Sequence, residues 1–140
     1  MKNVEKADRI HLGSLIDELK KGKYVIPDFQ RGFEWAPWDV LDLIRSIFMD
    51  YYIGTLLLWK GSKENYKMLS GESIYGFKGN PDPQHIVLDG QQRLTAIYYA
   101  FFNPDKPFPR RKNPMAFWIK INNLLEEEFE TAFFYDRITY

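Results

Sequence analysis

Asp89-Gly90-Gln91-Gln92-Arg93 places a carboxylate, a glycine, two carboxamides and a guanidinium on consecutive residues. Such a set suits phosphate recognition: an arginine offers a forked donor matched to phosphate oxygens, and glycine lets backbone N–H groups approach an anion. A second polar run, Asp28-Phe29-Gln30-Arg31-Gly32-Phe33-Glu34-Trp35, sets four polar or charged side chains among three aromatics. That is an unusual composition for a plain surface loop. Arg110-Arg111-Lys112 is the densest basic run in the chain and fits either a solvated loop or a nucleic-acid backbone contact.

The elements around the first run tell how it is presented. Ile86-Val87-Leu88 is a short continuous apolar stretch, the pattern of a buried strand. Asp89-Gly90 breaks it. Leu94, Ile97, Tyr98 and Phe101 then recur at i, i+3, i+4 and i+7, one apolar face of a helix. Asn103-Pro104 ends that helix, since proline lacks the needed donor. Gln91, Gln92 and Arg93 therefore fall on the first helical turn, where unpaired N–H groups and the positive dipole end receive anions. The same spacing also fits a simple capping box, with Asp89 as N-cap and Gln92 reaching back.

The rest of the chain reads as scaffold. Residues 1–8 are charged and expected to fray. Leu12, Leu15, Ile16 and Leu19 mark a short amphipathic helix closed by Lys20-Lys21 and Gly22. Residues 23–27 read as an extended piece that Pro27 must end or edge. Pro37 opens a largely buried helix through residue 50, with Asp39, Asp42 and Arg45 on its wet side. Residues 53–59 read as a buried strand in which Gly54 allows another backbone or a ligand to come close. Residues 66–70 suggest another strand, and 70–84 a surface connection rich in Gly and Pro. After a proline-rich loop at 103–114, a strand is expected at 115–121, a short acidic helix at 122–130 and a strand at 131–135. The end lacks a clear stop, so the chain is expected to be the N-terminal part of a longer protein, built as one domain over 1–140. No internal repeat is visible.

Composition narrows the classes. The 140 residues are 45% hydrophobic and 17% aromatic, enough for a real core and against disorder. Nineteen basic side chains balance nineteen acidic ones, so no global field drives non-specific DNA binding. Cysteine is absent, which removes disulfides, thiolate catalysis and Cys-based zinc sites. His11 and His85 are the only histidines and lack a metal-ligand spacing. No run reaches a membrane span and the N-terminus has no signal-peptide core; the expectation is a soluble, cytoplasmic protein with no membrane partner.

Ile26-Pro27-Asp28-Phe29-Gln30-Arg31 with Trp35 beyond it, and Asp89-Gly90-Gln91-Gln92-Arg93-Leu94-Thr95, stand in one chain with the Ile53-Gly54 strand between them. That order resembles the N-terminal domain family of the GmrSD-type, modification-dependent (type IV-like) restriction endonucleases, over about residues 12–102. The resemblance implies an α+β fold, a ParB/sulfiredoxin-like small mixed sheet with packed helices, whose phosphate-binding turn is the Asp-Gly-Gln-Gln-Arg motif. It further implies a domain that binds and hydrolyses a nucleoside triphosphate in defence against foreign DNA. DNA would be cut by a C-terminal or separate nuclease module, for which these residues show no motif. Gly90, Gln91, Gln92 and Arg93 match the signature turn, with Asp89 before them, and Gln30 and Arg31 match the upstream motif.

On this reading Gly90, Gln30 and Arg31 bind phosphate, while Asp89, Gln91, Gln92 and Arg93 carry the chemistry. Arg93 and Arg31 neutralise charge building on phosphate oxygens. Gln91 or Gln92 orients the attacking water, and Asp89 holds Mg²⁺ directly or through water. Three rivals stay open. The pocket binds nucleotide or a DNA phosphate and switches without turnover; or Asp89, Asp28 and Glu34 support direct phosphodiester cleavage; or the polar motifs form a purely structural network. The apolar excess on the 37–50 helix and the many aromatics also fit a homodimer surface or missing C-terminal residues.

Overall fold

A computed structural model describes residues 10–61 and 71–139; the fraying expected at 1–8 and the strand expected at 66–70 lie outside them. The fold is α+β. Helix α1 (Leu12–Lys20) leads into strand β1 (Tyr24–Pro27), and helix α2 (Pro37–Phe48) into β2 (Leu57–Lys60) and β3 (Gly71–Ser73). Strand β4 (His85–Asp89) feeds helix α3 (Gln91–Phe102). A second unit follows: β5 (Met115–Ile119), α4 (Ile121–Leu125), α5 (Phe129–Ala132) and β6 (Phe133–Arg137).

The main sheet runs in the order β2-β4-β1-β3, and β5 pairs with β6 as a separate antiparallel ribbon. β1 and β4 are parallel neighbours at the centre, whereas the outer strands run antiparallel to them, β2 beside β4 and β3 beside β1. Ile86 and Val87 of β4 are fully buried, as a strand flanked on both sides requires. Both central strands end at the same side of the sheet, β1 at Pro27 and β4 at Asp89. Ligands of open α/β sheets sit beyond such carboxyl ends.

α3 is the core element, packing against α1 and α2. Leu94, Thr95, Ala96, Ile97, Tyr98 and Tyr99 are all buried, so the helix is enclosed on nearly every side rather than along one stripe. Phe101, expected on the apolar face, is 40% exposed. α2 starts where expected, with Pro37 in its first turn and the Asp39 carboxylate accepting the Ala36 N–H at 2.9 Å. Its Asp42 pairs with Arg45 at 3.0 Å.

Three sequence expectations change, the first at β3, which lies within the stretch 70–84 read as a surface connection. The buried strand at 53–59 is instead an irregular segment followed by the short edge strand β2, with Leu57 57% and Trp59 47% exposed. An apolar run does not by itself tell a central strand from an edge. The acidic helix at 122–130 divides into α4 and α5, where Glu127 takes a left-handed φ of 59°.

The Tyr99 hydroxyl ties α3 to the last unit. It donates to the Lys106 carbonyl and accepts the Met115 N–H at 3.2 Å. Tyr99→Phe leaves that buried N–H without its acceptor, so a loss of about 1–3 kcal/mol in urea unfolding is expected with the ring packing intact.

Candidate functional site

The residues at the ends of β1 and β4 enclose a cavity of ≈ 500 Å³. Its walls are Phe29, Gln30, Arg31 and Trp35 from the loop after β1, and residues 88–93 from the end of β4 and the start of α3. The two motifs that stand far apart in sequence therefore meet in one place. Arg110, Arg111 and Lys112 are all exposed and form no part of this wall; the Arg111 guanidinium lies over the Trp38 ring, 5.0 Å from its centroid.

The strand-to-helix turn is not a capping box. Asp89 closes β4 and is exposed, and the N-cap is Gly90, at φ 102° and ψ 12°, with no side-chain cap. A Cβ at Gly90 would strike the Leu56 side chain, and the left-handed backbone disfavours any other residue there. Because no side chain caps the helix, the N–H groups at its start remain open to an incoming acceptor.

Gln92 turns away from the helix end towards the β1 loop. Its Oε1 accepts the Glu34 N–H at 2.9 Å and the Trp35 N–H at 3.3 Å, and its Nε2 donates to the Gly32 carbonyl at 3.1 Å. Gln30 reaches the other way: its Nε2 donates to the carbonyls of Val87 at 2.6 Å and Leu88 at 3.0 Å. The two carboxamides thus lace the β1 loop and the β4 turn together. Arg93 holds a third segment. Its guanidinium donates to the Ile53 carbonyl at 3.2 Å and to the Thr55 carbonyl, straddling Gly54. A Cβ at Gly54, whose φ is 112°, would run into that guanidinium. Gly54 was legible as a point of close approach; the group that approaches is Arg93.

Asp89 and Gln91 make no side-chain hydrogen bond or ion pair among the described residues, and both line the cavity. The Arg31 side chain is 83% exposed and pairs loosely with Glu34 at 3.4 Å. No group of three or more His, Asp or Glu side chains gathers as a metal site among the described residues. Phe29, Trp35 and Leu88 add apolar surface to the cavity wall, which motif reasoning did not assign.

The family model of the GmrSD restriction endonuclease, N-terminal domain, matches residues 12–139. The chain belongs to this family. The GmrSD N-terminal domain thus accounts for nearly the whole chain, including the second unit that the motif resemblance had not covered. The chain is also similar to an uncharacterized protein of Methanocaldococcus jannaschii, 35% identical over 136 residues. That match covers 91% of this chain and 23% of the relative, so the chain spans about a quarter of the relative's length. Among the described residues no helix is long and apolar enough to cross a membrane.

Proposed function

We propose that this restriction-related domain binds a nucleoside triphosphate at the Gly90 turn and hydrolyses it. In that role it would regulate a modification-dependent restriction or anti-phage defence protein of the cytoplasm. The observation that carries the reading is the uncapped start of α3 facing a ≈ 500 Å³ cavity, with Asp89 and Gln91 on its wall unengaged by any of the described residues. Phosphate oxygens accept from the N–H groups at the turn, and Arg31 swings in to balance their charge. Gln91 is the better candidate to orient a water, since Gln92 is bound to the β1 loop. Asp89 would hold Mg²⁺ together with phosphate oxygens, which suits an ion usually bound through one or two carboxylates plus substrate. The ion's contribution would be to neutralise charge on the phosphates. Cutting of DNA is assigned to a C-terminal or separate nuclease module.

Phosphate release from several nucleoside triphosphates with Mg²⁺ tests the reading, with Asp89→Asn as control. The expected result is turnover by the wild type and a drop of about a hundredfold in the variant, with thermal unfolding unchanged. Absence of turnover alongside tight binding of a non-hydrolysable analogue supports the second reading, a switch without hydrolysis. One observation favours that alternative: Gln92, Gln30 and Arg93 already hold three backbone segments, so a ligand that displaced any of them would move a loop.

A further inference from the structure

The cavity wall is chemically mixed. Arg31, Gln91 and Arg93 supply polar groups, whereas Phe29, Trp35 and Leu88 supply apolar surface. Phe29 is 70% exposed and Leu88 41% exposed. Every ring contact in the described structure leaves Phe29 out, although rings elsewhere pair extensively. Single exposed aromatics are ordinary on a surface. This one lines the cavity that holds the Gly90 turn, next to the arginine and glutamine of its own motif.

A bare phosphate chain uses only the polar groups. A ligand with a charged end and a flat apolar end uses both, and the volume lies in the range of pockets that hold whole small molecules. A neighbouring cavity of ≈ 510 Å³ shares Gln30, Arg31 and Gln91 but offers no comparable free ring. There the Tyr75 ring is covered by the Lys106 ammonium at 4.0 Å and by Phe33 at 5.6 Å.

Resting on the nucleotide reading above, we infer that Phe29 is the stacking platform for the nucleobase of the bound triphosphate. Trp35 and Leu88 wall the base in. Stacking reads the flat face that all bases share, so the site favours nucleotides over inorganic polyphosphate while differing little among bases.

The test measures binding of imidotriphosphate analogues of ATP, GTP and CTP, and of inorganic tripolyphosphate, to wild type, Phe29→Ala, Phe29→Tyr and Gln91→Ala. Phe29→Ala is expected to weaken the nucleotides roughly tenfold, within the range of a lost base–aromatic stack, and to leave tripolyphosphate within about twofold. Phe29→Tyr keeps nucleotide affinity, and Gln91→Ala weakens nucleotide and tripolyphosphate alike. Equal loss of both ligands in Phe29→Ala, or loss of neither, overturns the base platform while leaving the phosphate site standing. Phe29-dependent binding of a single-stranded oligonucleotide in place of the analogues overturns the free-nucleotide assignment. No binding of any probe removes the nucleotide reading and this inference with it.

Discussion

Alanine in place of Arg93 is expected to lower stability by about 2–3 kcal/mol, because two charge-assisted hydrogen bonds to backbone carbonyls disappear together. Turnover should fall by roughly a hundredfold or more as the segment around Gly54 leaves the wall of the turn. The structural part of that claim has its own check. Gly54→Ala drives a Cβ into the guanidinium and forces a non-glycine residue to φ 112°, a strain of about 1–3 kcal/mol before the clash is counted. In the double variant the guanidinium is gone and only the backbone strain remains. The combined loss should therefore be smaller than the sum of the single losses, by about 1 kcal/mol or more. Additive losses in a urea-unfolding cycle would show that Arg93 and Gly54 act separately.

The two adjacent glutamines are expected to part company. Gln92→Ala removes the acceptor for the Glu34 and Trp35 N–H groups and the donor to Gly32. It should cost about 1–2 kcal/mol and reduce both nucleotide affinity and turnover, since Phe29, Gln30 and Arg31 ride on that loop. Gln91→Ala touches no internal bond among the described residues; its stability should stay within about 0.5 kcal/mol of wild type, while turnover drops about a hundredfold. Steady-state phosphate release alongside thermal unfolding separates the two. A Gln91→Ala protein that turns over normally would remove that residue from the chemistry.

Much of this arrangement was legible in the sequence. The strand, glycine turn and helix across residues 86–102 followed from a short apolar run, a breaker and a helical period, and Pro37 marked the start of α2. What stayed hidden was long-range. Asp89 and Gln92 have the spacing of a capping box, but Gly90's left-handed backbone makes glycine the N-cap and leaves Asp89 in the strand. Gln92 then finds partners 57, 58 and 60 residues away, which no local pattern announces. The placement of β2 failed for a related reason: strand order is settled by pairing, and an apolar run carries no record of its neighbours. β3 is only three residues long inside a stretch read as a connection; its partner β1 defines it, rather than its own composition.

The lacing of three backbone segments by Gln30, Gln92 and Arg93 gives these side chains a structural duty that stands apart from any reaction. A chain that never turned over a ligand would still need those side chains to close its loops, so their presence is a mark of architecture. Asp89 and Gln91 have no such internal duty among the described residues. Replacing those two while the lacing residues remain would keep the shape of the loops and change only what the cavity offers a ligand.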